Sequence, residues 1–281
     1  DGRNHTAVTL GKFDGLHRGH QKLLNRIMKY AQKEDCDSVV CAFDMDRDCL
    51  MTNEERRAFL EDKVDYLIEI PFTREMMEME AEKFIDEILH KKLHASHIVV
   101  GTDFNFGHEK RGNHQMLEKY AAKYGYTVDV VEKAYYKDRE ISSTYIRELL
   151  LDGNVPLANE LLGYPYEITS VVEHGQQLGR TLGFPTLNVH PSDEKMLPPK
   201  GVYMTNTFVD GQIYHGLGNV GFKPTVAEEH RMLIETFLFD YNGNAYGKEV
   251  RTQLLHYKRP EQKFDSVDEL KAQIDTDIDY A

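Results

Sequence analysis

Over the first half of the chain, apolar positions come in short blocks whose spacing alternates between that of a buried strand and that of an amphipathic helix. Ala7-Val8-Thr9-Leu10 has the length and apolarity of a buried strand. From Gln21 to Gln32, residues Leu23, Leu24, Ile27, Met28 and Ala31 recur at helical spacing. Ser38-Val39-Val40-Cys41-Ala42-Phe43 reads as a second strand. Thr52-x-x-Glu55 is a capping box that opens a helix through Leu60. Tyr66 to Ile70 is a third strand, closed by Pro71. A helix from Ala81 to Lys92 turns Phe84, Ile85, Ile88 and Leu89 inward. His97 to Val100 is a fourth strand ending at Gly101, followed by a helix from Met116 to Tyr124 and a fifth strand from Thr127 to Val131. Strands alternating with helices predict an α/β unit with a parallel sheet covered on both faces. Ligands of such sheets sit beyond the carboxyl ends of the strands.

A helix ends near Leu151, and a short helical link from Leu157 to Leu162 stops at Gly163 and Pro165. Beyond Tyr166 the texture becomes short alternating runs at 167–173, 201–209, 213–220, 234–239 and 250–257. Asp210-Gly211 and Asn242-Gly243 turns separate some of them. This predicts a small antiparallel β-barrel, closed by a helix from Ser266 to Asp277 with Val267, Leu270 and Ile274 as its apolar stripe. The boundary is expected near residue 155, giving units 1–155 and 156–281.

Composition narrows the choice little. The 281 residues suffice for two domains, and a formal net charge of −13 disfavours a general nucleic-acid binder. Cys36, Cys41 and Cys49 have no C-x-x-C spacing, which reads as reduced thiols in a cytoplasmic protein. No run reaches membrane-spanning length, so a membrane partner is not expected.

The candidate chemistry begins at Leu10-Gly11-Lys12-Phe13-Asp14-Gly15-Leu16-His17-Arg18-Gly19-His20, a glycine-punctuated loop between strand and helix. Glycines admit close backbone approach, and helix N-terminal amides favour phosphate there. His17 and His20, three apart, project from one face of the first turn. Attack on the α-phosphate of ATP builds charge that such donors stabilise. The bland alternative is a tight turn with two surface histidines. A second loop, Gly101-Thr102-Asp103-Phe104-Asn105-Phe106-Gly107, follows the fourth strand. Its aromatics could flank a planar ring and Asn105 could bond its edge, or the phenylalanines could simply fill the core. In Ile141-Ser142-Ser143-Thr144-Tyr145-Ile146-Arg147, a capped helix places Arg147 one turn in, where it could bind phosphate or remain solvated.

In the second unit, Gly175-x-x-x-Gly179-Arg180 supplies amides and a guanidinium suited to phosphate. Thr186 and Asn188 are two apart in an extended segment, and both are hard neutral ligands suited to Mg²⁺ bound with ATP. A polar turn without an ion is the alternative.

G-x-F-D-G-x-H-x-G-H resembles the signature of the bacterial bifunctional riboflavin kinase/FAD synthetase family, and Gly179 to Asn188, G-R-x-L-G-F-P-T-x-N, is similar to its riboflavin kinase signature. The resemblance covers almost the whole chain. It implies a Rossmann-like nucleotidyltransferase domain followed by a riboflavin kinase-like barrel, which make FMN and then FAD from riboflavin and ATP. Ser143, Thr144 and Arg147 would hold ATP phosphates beside His17 and His20, with Gly11, Phe13, Asp14 and Gly15 in the same nucleotide loop. Asp103, Phe104 and Asn105 would lie in the adenylyltransferase site. Asn219, in Gly218-Asn219-Val220-Gly221, would contact nucleotide, and Arg259 would contact flavin. Glu235 matches the catalytic glutamate that accepts the ribityl hydroxyl proton. The segment Phe43-Asp44-Met45-Asp46-Arg47-Asp48 departs from the family's F-x-P-H-P, and the region before Leu50 is short. Rival readings are a kinase with a decayed first domain and a flavin-sensing regulator without turnover.

Overall fold

The computed structural model describes residues 5–44, 47–71, 73–175, 184–222 and 232–280. Its contacts divide the chain into two compact units, Asp1–Ser143 and Thr144–Ala281, earlier than the link near residue 155. The helix Val155–Leu162 packs against barrel strands, Asn159 bonding Leu254 O and Tyr166 N, so the linking segment belongs with the second unit.

In the first unit β1 (Thr6–Gly11), β2 (Asp37–Phe43), β3 (Tyr66–Ile70) and β4 (Ala95–Gly101) precede two short pairing strands, β5 (Asn105–Phe106) and β6 (Gly112–Asn113). Strand β7 (Thr127–Val131) follows, then a small ladder of β8 (Tyr135–Tyr136) and β9 (Arg139–Glu140). The main sheet is wholly parallel, in the order β3-β2-β1-β4-β7. Strand β1 is its centre, which is why Ala7, Val8, Thr9 and Leu10 are all buried. From β1 the chain runs outward to β2 and β3 on one side, then crosses to β4 and β7 on the other. The crevice at their carboxyl ends is therefore the switch point where such sheets take ligands.

Helix α1 (Arg18–Glu34) buries Leu23, Leu24 and Ile27. Thr52 caps α2 (Asn53–Leu60), and the expected capping box forms, with Glu55 reaching back to the Thr52 amide. Helix α3 (Arg74–Glu78) is one exposed turn. The apolar stripe expected from Ala81 to Lys92 is present, with Phe84, Ile85, Ile88 and Leu89 buried. Only α4 (Ala81–Lys83) is α-helical, however, and Phe84–Lys92 continues as a π-helix. Asn113 caps α5 (His114–Tyr124), and Gly125 ends it in the left-handed region.

The second unit begins one residue into α6 (Ser143–Leu151), continues with α7 (Val155–Leu162), then closes a barrel in the order β10-β11-β14-β13-β12-β15. These strands are β10 (Tyr166–Glu173), β11 (Thr186–Val189), β12 (Gly201–Val209), β13 (Gln212–Phe222), β14 (Met232–Leu238) and β15 (Glu249–Arg259). Five were expected from their alternation; β11 is the sixth. The barrel's interior residues include Tyr203, Thr205, Thr207, Ile234, Thr236, Thr252 and Leu254, all nearly solvent-free. Of the stripe expected on the closing helix α8 (Val267–Tyr280), Leu270 and Ile274 are half-buried while Val267 is 54% exposed, and Asp277 is the fully buried contact. Asp277 receives the Arg259 guanidinium at 2.7 Å and Lys258 at 3.5 Å.

Candidate functional site

The first candidate site grows out of the end of β1. After Gly11 the chain bends through left-handed Phe13 (φ 51°), Gly15 (φ 74°) and Leu16 (φ 37°) before His17 caps α1. Left-handed geometry in two bulky residues requires fixed surroundings. Asp14 provides some of them: its buried carboxylate accepts the Leu50 amide at 2.8 Å and the Met51 amide at 3.3 Å. The Asp14 carbonyl accepts the Ser143 hydroxyl at 2.9 Å, so Ser143 fastens the loop. The His17 and His20 rings stack at 3.7 Å, and Phe13 packs edge-on to His20. His17 Nδ1 accepts the His20 amide. Gly19 lets the stack close, since a Cβ there would meet the His17 ring at 3.0 Å.

Burial holds His17 down to about 4, and burial together with the His17 charge holds His20 well below its ordinary value. Both rings are therefore neutral at neutral pH, each with one N–H to donate. His20 Nδ1 is buried with no hydrogen-bond partner among the described residues. The surface-histidine alternative does not hold for His17, which is only 6% exposed.

The loop after β4 also lies at the carboxyl edge. Phe106 is buried against Phe84, as the core-filling alternative required, and Phe104 stacks on Phe106. Asp103 and Asn105 are exposed; Lys133 ion-pairs with Asp103 at 3.0 Å, and Asn105 donates to the Asp103 carbonyl. Thr144 is exposed and Arg147 half-buried on α6.

The second candidate site lies on the outer face of the barrel. Asn188 on β11 pairs with Glu235 on β14, which pairs with Asn219 on β13, so three chemistry-bearing side chains share one row. Glu173 on β10 extends the row beyond Asn188. Glu235 is half-buried, while its neighbours Ile234 and Thr236 point into the barrel. Thr186 and Asn188 line a cavity of about 270 Å³ with Pro185 and the loop from Tyr241 to Tyr246. Asn188 is 5% exposed, and its Oδ1 is buried without a partner among the described residues. An orphaned hard oxygen beside Thr186 at a cavity fits Mg²⁺, whose remaining ligands are waters and nucleotide phosphates. Among the described residues no three His, Cys, Asp or Glu side chains converge as a metal site.

Asn219 donates to Glu261 at 3.0 Å. Arg259, expected at flavin, has its guanidinium engaged by Asp277. Burial pushes the Asp277 carboxyl up, but hydrogen bonds from Arg259 and Gln273 and the charges of Arg259 and Lys258 outweigh that and hold it low. Gly179 and Arg180 lie outside the described residues. Sequence reasoning missed two features: Glu173, visible only through strand register, and Arg56, a wholly buried guanidinium beneath the first loop.

A parallel α/β unit with a histidine-bearing glycine loop at its switch point, joined to a barrel carrying a carboxylate–amide row beside a cavity, is the two-part arrangement expected of a phosphate-transferring protein. The FAD synthetase family model matches residues 2–145, and the riboflavin kinase model matches 162–281. The chain belongs to the bifunctional riboflavin kinase/FMN adenylyltransferase family. The Haemophilus influenzae protein of that name is 37% identical over 98% of this chain and 92% of its own length. The Escherichia coli K12 protein is 36% identical over 96% and 90%. A crystal structure of a Streptococcus pneumoniae protein named as a macrolide-efflux protein matches with a TM-score of 0.87 and 32% identity, covering 99% of this chain and 94% of that one. Among the described residues no helix is long and apolar enough to cross a membrane.

Proposed function

We propose that the barrel phosphorylates riboflavin to FMN and that the α/β unit transfers AMP from ATP to FMN, giving FAD and pyrophosphate, with the division of labour at residues 1–155 and 156–281. The observation that carries the kinase half is the row Asn188–Glu235–Asn219, with the orphaned Asn188 oxygen at its edge. Glu235 accepts the proton of the ribityl terminal hydroxyl as that oxygen attacks the γ-phosphorus and the bond to the β,γ-bridging oxygen breaks. Thr186 and Asn188 would hold Mg²⁺, which when bound neutralises phosphate charge. Gly179, Arg180 and Asn219 contact the nucleotide, and Arg259 orders the flavin side through α8.

In the α/β unit the FMN phosphate, already ionised, attacks the α-phosphorus of ATP, and pyrophosphate leaves. His17 and His20 donate N–H bonds to the phosphates, from buried rings whose donors are strongest away from water. Gly11, Phe13, Asp14 and Gly15 shape the loop, Ser143 fastens it, and Thr144 and Arg147 complete the phosphate contacts. Asp103, Phe104 and Asn105 receive the flavin. A cytoplasmic location accords with three buried free thiols.

The test is the product mixture from riboflavin, ATP and Mg²⁺. The proposal expects FMN followed by FAD with pyrophosphate. FMN alone would favour the kinase-only reading suggested by the altered Phe43–Asp48 segment, and ligand binding without product would favour the regulator.

A further inference from the structure

A buried arginine needs a reason, and Arg56 has no solvent exposure. It sits on α2, under the carboxyl ends of three neighbouring strands. Its Nη1 donates to Lys12 O at 3.1 Å and to Phe43 O at 3.2 Å, the points where the chain leaves β1 and β2. Its Nη2 donates to Asn53 Oδ1 at 2.9 Å and to Glu69 Oε1 of β3 at 3.3 Å. One planar fork thus joins the ends of β1, β2 and β3. The Lys12 carbonyl it holds immediately precedes left-handed Phe13, the residue that packs on His20. On the far side of Phe13, Asp14 is anchored to the Leu50 and Met51 amides, which lead into the same helix. The loop is gripped on both sides of its strained residue by α2 and its N-terminal approach.

We propose that Arg56 is a positioning residue for adenylyl transfer, setting the height of the His17–His20 pair by fixing the Lys12 carbonyl. The proposal rests on the reading of that loop as the adenylyltransferase site. A lysine cannot replace it, because one ammonium has no planar fork to reach both carbonyls and two side chains. Misplacing reacting groups by about 1 Å costs on the order of 10²-fold in rate.

The test compares Arg56→Lys and Arg56→Ala with the parent full-length chain. FAD formation from supplied FMN should lose kcat by about that factor in Arg56→Lys, with a smaller change in KM for ATP. Riboflavin phosphorylation by the same samples should stay at the parent rate. Millimolar guanidinium should restore part of the FAD activity of Arg56→Ala, while potassium chloride at equal ionic strength should not. The ring resonances of His17 and His20 should move in Arg56→Lys. They report loop placement even if Arg56→Ala does not fold or the parent makes no FAD. Unmoved histidine resonances and an unchanged kcat in folded Arg56→Lys would overturn the proposal. Moved resonances in a parent that makes no FAD would instead uphold Arg56 and refute the reading of the site.

Discussion

In the α/β unit the candidate chemistry occupies one short stretch, Gly11 to His20, at the end of a single strand. In the barrel it is spread over strands far apart in sequence, and register alone aligns Asn188, Glu235 and Asn219. The first site is a loop and depends on outside supports, among them Asp14, Ser143 and Arg56, for left-handed residues that would not hold alone. The second is built on the ladder itself, so each side chain inherits its position from the hydrogen-bonded sheet. Loop sites are therefore open to damage from below, and strand sites to damage at the face.

The largest expected effect strikes the face. Glu235→Gln keeps shape but cannot take the proton, so riboflavin phosphorylation should fall by ~10²–10⁴ while adenylylation of supplied FMN continues. Assaying the two half-reactions on one purified sample decides it; a parent-like phosphorylation rate would leave Glu235 as an ordinary strand residue.

Next is Gly175→Ala. A Cβ there would sit 2.5 Å from Asn188 Nδ2, so the amide must move. Phosphorylation should drop roughly 10- to 100-fold, with the Mg²⁺ concentration for half-maximal rate raised. An unchanged Mg²⁺ titration would sever Asn188 from the metal.

The histidines sharpen the comparison through pH. Burial holds His17 at about 4 when folded, below the unfolded value of 6.5. Between those values the unfolded chain binds a proton that the folded unit does not. Stability is thus complete above the unfolded value and is lost as pH falls toward 4, on the order of 3 kcal/mol from His17 alone. Urea unfolding of the first unit should weaken over this window, and His17→Ala with His20→Ala should flatten the dependence. A parent profile flat over that window would mean the rings are not sealed.

The smallest effect is at the closing helix. Asp277 is held low by its partners, so Asp277→Asn should cost the barrel about 1–3 kcal/mol at neutral pH. The wild-type contribution disappears only as pH falls below the ordinary carboxylate range. Calorimetry of both proteins at neutral and acid pH checks this, and equal midpoints at neutral pH would count against the tether.

Contiguity decided what could be read in advance. The opening strand, loop and helix were legible because Ala7 to Ala31 carries strand period, glycines and helix period in succession. The parallel sheet followed from repetition of that pattern. Strand β11 was not counted because it is short and adjoins the glycine-rich stretch beginning at Gly175, which masks its alternation. The π-helical register of Phe84–Lys92 leaves the same residues inward, so spacing does not betray it. Arg56 was invisible because Asn53-Glu54-Glu55-Arg56-Arg57 reads as a solvated helix face, yet only Arg56 of the two arginines is buried. Of the expected α8 stripe only Val267 is exposed; the ion pair of Arg259 with buried Asp277 anchors the helix at its far end, beyond half-buried Leu270 and Ile274.

The central claim is that one chain carries two sites with separate residues. It is tested most directly by His17→Ala with His20→Ala, assayed side by side for FMN formation from riboflavin and for FAD formation from supplied FMN. The account predicts that FAD formation is abolished while FMN formation stays near the parent rate. Equal loss of both activities in a folded protein, or FAD formation that survives, would contradict it.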